Sequence, residues 1–208
     1  MTGVDHSGSG STSASDSPSS PMEAPPMSTD PAAMPTPLMS RQGREKQRYT
    51  QDSQRLVAGC IPVRDNPLVK GGVEVCMVSN RHNDGLIFPK GGWETDETAE
   101  EAAARESMEE AGVKGETCTY VGEFSFKSRK KALKVDGDGK NGVSKKATCV
   151  ARVFVMNVTE EMAEWPEQAT RTRTWLPAMD AIEQCKHDWM RDALRAWAST
   201  MPGLETAG

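Results

Sequence analysis

The pattern of apolar and polar positions is that of short strands punctuated by turns. Leu56 to Val63 reads as a strand, and Val73 to Val78 alternates well enough to be the next. Asn66-Pro67 and Gly71-Gly72 mark the turn between them. Gly85 to Pro89 is a short apolar piece leading into the glycine pair Gly91-Gly92. Thr98 and Glu101 then form a capping box, in which each side chain satisfies the other's free backbone N–H. The residues after Thr98 are good helix formers, and Gly112 tolerates the left-handed conformation that ends a helix, so a helix is predicted over 99–111. Val121 to Phe126 and Thr148 to Val158 read as strands on either side of a basic surface loop, Lys127 to Lys146. Thr172 to Leu176 makes a last short strand and Pro177 opens a helix-forming region. Cys185 to Ala198 supplies a closing helix with Trp189, Leu194 and Trp197 turned inward. Strands interspersed with helices predict a layered α/β (α+β) domain.

The first forty residues lack this pattern. They hold no Lys or Arg and four acids, Asp5, Asp16, Glu23 and Asp30, among Ser, Pro, Gly and Thr. Such a segment buries too little apolar surface to offset the entropy of ordering its backbone. The expected organisation is a disordered Ser/Pro-rich tail over 1–48, one folded domain over 49–200 and a flexible end over 201–208, with Arg41 to Ser53 as a polar connector. The tail is too acidic and Arg-poor for an import presequence and has no basic start and apolar run for secretion, so a cytoplasmic or nuclear location is expected.

Charge changes the picture little. The net charge of -5 comes mostly from the tail, because all 25 basic residues and 26 of the 30 acids follow residue 40. Cys60, Cys76, Cys118, Cys149 and Cys185 are odd in number and lack CxxC spacing, which favours buried reduced thiols over a metal or disulfide role. No apolar stretch approaches the roughly 20 residues that cross a bilayer.

The chemistry lies on the predicted helix. Glu106, Glu109 and Glu110 fall at i, i+3 and i+4 and therefore share one face. A solvated acidic face is the commonest explanation of a Glu-rich helix. Here, however, Ala99, Ala102 and Ala103 share that face, which turns it towards protein or a cleft. The Gly91-Gly92 pair upstream also lets backbone approach a phosphate or cation closely. Hard divalent cations take oxygen ligands, commonly one or two carboxylates with substrate phosphate oxygens, so the spacing suits a Mg²⁺–pyrophosphate site.

Gly91, five residues, Glu97, seven residues, then Arg105-Glu106-Ser107-Met108-Glu109-Glu110-Ala111-Gly112-Val113 resembles the Nudix box at every charged and glycine position. A chance match of seven fixed letters has a probability on the order of one in 10⁸ per starting position. The one departure is Ser107, where the family prefers an aliphatic residue. The resemblance implies a Nudix-type α/β/α sandwich with a mixed sheet and a metal-dependent pyrophosphohydrolase. It implies that Glu106, Glu109 and Glu110 hold Mg²⁺ (or Mn²⁺), with the Gly91 carbonyl as a further ligand. Arg105 and Glu97 would orient those carboxylates, and which glutamate acts as base is left open.

Phe88 to Glu94, Phe124 to Lys127, Trp165-Pro166-Glu167 and Arg171 to Trp175 resemble the diphosphoinositol polyphosphate phosphohydrolase and diadenosine polyphosphate hydrolase branch, especially its plant-type members. A small, densely anionic phosphate substrate needs several cations in one cleft. The expected substrate-binding residues are Arg55, Arg81, Lys90, Gly91, Gly92, Lys127, Arg171 and Arg173, with Arg171 and Arg173 on one strand face. Nucleotide sugars, NADH and capped RNA are alternative substrates, and a non-catalytic phospholigand-binding module is the reading from another class. The basic loop lacks the interleaved aromatics that stack on bases, so neither a nucleic-acid nor a membrane partner is expected. The oligomeric state is left open with a monomer favoured.

Overall fold

The computed structural model describes residues 39–41, 43–80, 84–131 and 146–204. The expected tail up to residue 38, the end 205–208, the middle of the basic loop, Arg81 and His82 lie outside the described residues. The described residues all belong to the unit Pro37–Gly208. Their elements are β1 (Arg55–Asp65), β2 (Val73–Ser79), β3 (Leu86–Ile87), β4 (Lys90–Gly92), α1 (Ala99–Ala111), β5 (Val113–Lys131), β6 (Lys146–Glu161), β7 (Arg173–Pro177), α2 (Ala178–Gln184) and α3 (Asp188–Ala198).

One mixed sheet runs β3-β2-β1-β6-β5, with β4 paired to β1 and β7 to β2. The β1–β6 pair is parallel and the other pairs are antiparallel. Strand β1 sorts its residues by the period of two. Val57, Ile61 and Val63 enter a core with α2 and α3, while Ala58 and Cys60 pack with Ala99, Ala102 and Ala103 of α1. Helices thus cover both faces, and β1, buried on both, reads as an almost continuous apolar run. This is the α/β/α sandwich that the Nudix resemblance implied. Cys60, Cys76, Cys149 and Cys185 are buried. Burial pushes the Cys76 thiol up to about 12 and Cys185 up to about 11, which keeps both protonated.

Several boundaries differ from the expectation. Strand β5 begins at Val113 rather than Val121 and is interrupted by register shifts near Gly115 and Gly122. Those irregularities break the period of two on which a strand is read. The basic loop expected from Lys127 begins as strand, since β5 continues to Lys131 and β6 starts at Lys146. The closing helix starts at Asp188 rather than Cys185, because Cys185 bridges Leu86 and the Lys186 N–H donates to the Leu86 carbonyl at 2.8 Å. That pairing keeps the backbone out of the helix at Cys185 and Lys186.

Candidate active site

Helix α1 starts and stops as its sequence dictates. Thr98 and Glu101 form the reciprocal capping box, and Gly112 closes the helix at φ 63° with its N–H bonded to the Met108 carbonyl. The Trp165 ring packs against Gly112, where a β-carbon would come within 2.7 Å of it. Between these ends, Glu106, Glu109 and Glu110 project from the buried face and are only 8%, 4% and 4% exposed. Ser107 is fully buried and donates its hydroxyl to the Ala103 carbonyl at 2.9 Å. The departure from an aliphatic residue therefore leaves no unsatisfied polar group.

Strand β4 brings the glycine pair beneath this face. It pairs with β1 through Gly91↔Ala58 and Gly92↔Val57. A β-carbon on Gly91 would overlap the Glu106 carboxylate as it stands, so glycine is what lets strand and carboxylate meet in this arrangement. The Lys90 N–H donates to Glu110 Oε2 at 3.0 Å.

Arg105 organises the acids. Its Nε and Nη2 grip both oxygens of Glu97 at 2.9 and 2.8 Å, and Nη2 also donates to the Gly92 carbonyl at 2.9 Å. Its Nη1 reaches Glu106 at 2.8 Å and Glu109 at 3.5 Å. Burial pushes the Glu97 carboxyl up, but the hydrogen bonds from Arg105 and the Glu94 N–H outweigh it and hold Glu97 below its usual value. Glu106 moves the other way. Burial, then the charge of Glu110, push it up to about 7 against the pull of Arg105. Burial also raises Glu109.

A buried Arg171 faces Glu110, donating Nη2 to its carboxylate, Nε to Glu167 at 2.6 Å and Nη1 to the Ser79 carbonyl at 3.1 Å. Arg171 precedes β7 and is 5% exposed. Arg173, in β7, donates to the carbonyls of Ala111, Gly112 and Met162 at 3.0 to 3.2 Å and lies over the Trp165 ring. The two arginines therefore do not share a strand face. Arg171 orients a site carboxylate, and Arg173 satisfies carbonyls at the C-terminus of α1.

Arg55 is half-buried and donates Nε to Gln47 Oε1 at 2.6 Å, with its guanidinium near Gly92. Burial, then the Arg44 charge, lower its affinity for the proton. Among the described residues, no carboxylate forms a salt bridge to it. Lys90 is half-buried in β4 and Lys127 is exposed in β5.

The segment expected to be a polar connector proves to be a strap along the loop that carries Glu97. Gln47 is buried and donates to the carbonyls of Arg48, Leu56 and Trp93 at 2.8 to 3.1 Å. Arg48 donates to the Glu94 and Thr95 carbonyls at 2.7 and 2.8 Å. Arg41 donates its N–H to Glu109 at 3.3 Å and its guanidinium to Glu94 at 2.7 Å. The contacts are long-range and polar, so no local periodicity announces them.

Three carboxylates crowded in a buried, glycine-floored site are the hard oxygen donors a divalent cation takes. As they stand they are turned to arginines and backbone N–H groups, and among the described residues no three acidic, His or Cys side chains converge on one point. The donor set fits the ion, with side-chain rotation needed to bring the oxygens together.

Residues 53–197 match the NUDIX domain family, and the chain belongs to that family. It is 46% identical over 164 residues to Nudix hydrolase 16, mitochondrial, of Arabidopsis thaliana, covering 76% of this chain and 86% of that one. It is 30% identical over 153 residues to diphosphoinositol polyphosphate phosphohydrolase 2 of Pongo abelii, covering 71% and 73%. A NUDIX hydrolase from Nitrosomonas europaea shares the fold, with a TM-score of 0.53, 13% identity and coverage of 71% and 90%. The protein is thus a hydrolase acting on pyrophosphates. The cytoplasmic or nuclear location expected from the tail's composition is withdrawn, because the Arabidopsis relative is described as mitochondrial.

Proposed function

We propose that the protein hydrolyses pyrophosphate linkages in diphosphoinositol polyphosphates, diadenosine polyphosphates or both, by water attack on phosphorus. The observation that carries the chemistry is the buried triad Glu106, Glu109 and Glu110, with Glu106 packed against Gly91. These carboxylates would hold Mg²⁺ or Mn²⁺, with the Gly91 carbonyl as a further ligand. When bound, the ion supplies activation of water and neutralises charge on the phosphate oxygens. Arg105 keeps Glu106 and Glu109 directed while it ties Glu97 to the Gly92 carbonyl. A glutamate of this face takes the proton of the attacking water. Lys90 and Arg55 flank the glycine pair and supply cations for the phosphates that are not cleaved.

The substrate reading is supported by Arg55, to which no carboxylate forms a salt bridge among the described residues, and by the name of the Pongo abelii relative. A panel of diphosphoinositol pentakisphosphate, diadenosine hexaphosphate, ADP-ribose, NADH and capped RNA with Mg²⁺ or Mn²⁺ tests it by phosphate or product release. The first two are expected to have the highest kcat/KM, and Arg55→Ala is expected to raise KM for diphosphoinositol pentakisphosphate about tenfold, the loss of one charge-assisted contact. Preference for the other three compounds would refute the substrate class.

A further inference from the structure

Gln47 ties three segments of the chain together beside the glycine pair. It is buried, and its Nε2 donates to the carbonyls of Arg48, Leu56 and Trp93. A carbonyl only accepts, so these three partners fix the amide with its nitrogen towards them and its oxygen away. That oxygen accepts Arg55 Nε at 2.6 Å. Each of the three carbonyls also accepts a backbone N–H: Arg48 from Leu56 at 3.0 Å, Leu56 from Trp93 at 3.2 Å and Trp93 from Arg48 at 2.9 Å. None of them would be left unsatisfied without Gln47. What the grip fixes is therefore the direction of the amide oxygen.

Arg55 is held by that oxygen at Nε, while among the described residues its Nη groups donate to no other protein group. Its Nη2 lies over Gly92, where a β-carbon would come within 2.9 Å of it and within 2.5 Å of Gln47 Oε1. The Gly92 carbonyl is in turn held at 2.9 Å by Arg105, which also reaches Glu106 and Glu109. We propose that Gln47 is a positioning residue for substrate, which holds the Arg55 guanidinium over Gly92 and leaves its Nη groups for the phosphates that are not cleaved. The proposal rests on the assignment of Arg55 to substrate binding. A guanidinium fixed at Nε has two Nη groups in a planar fork that matches two phosphate oxygens, and holding it beforehand removes part of the entropy cost of binding. The neutrality of the amide matters as well. A carboxylate in its place would grip Nε more strongly, but it would cancel the charge that the phosphates need.

The test is a double-mutant cycle of Gln47→Met and Arg55→Ala in the full-length protein, read as KM and kcat for diphosphoinositol pentakisphosphate with Mg²⁺. Gln47→Met is expected to raise KM about three- to fivefold with kcat close to wild type, because a bond that only orders a binding group acts on substrate and transition state alike. In the Arg55→Ala background the same substitution should add nothing, since the group it orders is gone. Circular dichroism checks the fold, and if Gln47→Met loses the wild-type spectrum, Gln47→Asn, which draws the amide back by one methylene, takes its place in the cycle. An unchanged KM, a loss in kcat alone, or a rise in KM that is the same with and without Arg55 would overturn the positioning role while sparing Arg55. A wild-type KM in Arg55→Ala would overturn the assignment of Arg55, and a wild type that does not turn this substrate over would overturn the substrate class, each taking the positioning role with it.

Discussion

In the interior of the site, Arg105 and Arg171 meet Glu97 and Glu110 with side chains 3–11% exposed, whereas along the strap Arg41 and Lys46 meet Glu94 and Asp96 with side chains 18–59% exposed. The chemistry of the two sets is the same. Burial makes the difference, because a buried pair cannot lose one partner without leaving an uncompensated charge, while an exposed pair trades its partner for water. The interior set fixes where the carboxylates are, and the strap set only biases them.

The largest stability effect should come from the interior. Arg105→Ala is expected to cost about 3–5 kcal/mol in denaturant unfolding, since it strands Glu97 and Glu106 together. Arg105→Lys should recover only part of it, because a point charge cannot replace the two-pronged grip on Glu97. A loss below 1 kcal/mol would erase the distinction between the two sets. Gly91→Ala comes next, at about 1–3 kcal/mol from overpacking against the Glu106 carboxylate, and it should depress turnover as well. Wild-type turnover in that variant would show that the close approach of β4 is dispensable.

A pH effect sharpens the comparison. Glu106 is pushed from its usual 4.5 up to about 7 in the folded protein. A carboxyl raised in this way contributes stability that is present below its unfolded value and is lost as pH rises through the folded one. Chelator-treated protein should therefore lose stability between about pH 4.5 and pH 7, and Glu106→Gln should flatten that part of the profile. Matching melting profiles for the two proteins would argue against burial as the cause. The smallest effect belongs to the strap, where Lys46→Ala should leave the unfolding midpoint close to that of the wild type, with any difference lost at high salt.

What the sequence discloses depends on whether a feature is local. Helix α1 was legible to the residue, because Thr98, Glu101 and Gly112 sit within hydrogen-bonding reach of the backbone groups they satisfy. The shared face of Glu106, Glu109 and Glu110 followed from helical spacing, and the alanines beside them signalled its burial. The start of β5 was hidden by bulges, and the start of α3 by the pairing of Cys185 with Leu86. The strap was hidden for a related reason, since Arg41 and Gln47 find partners at Glu109 and Trp93 far along the chain. Arg171 and Arg173 were expected to bind substrate together, but one faces Glu110 and the other the carbonyls that end α1, a separation set by tertiary packing.

The most direct test of the central claim compares wild type with Glu109→Gln and Glu110→Gln, each followed for divalent-ion-dependent hydrolysis of diphosphoinositol pentakisphosphate and diadenosine hexaphosphate. Both variants should keep the wild-type circular dichroism and lose turnover on the order of 10²-fold or more, because an amide neither binds the ion as strongly nor accepts a proton. Unchanged metal-dependent turnover in both variants would contradict the assignment of this helix face as the catalytic site.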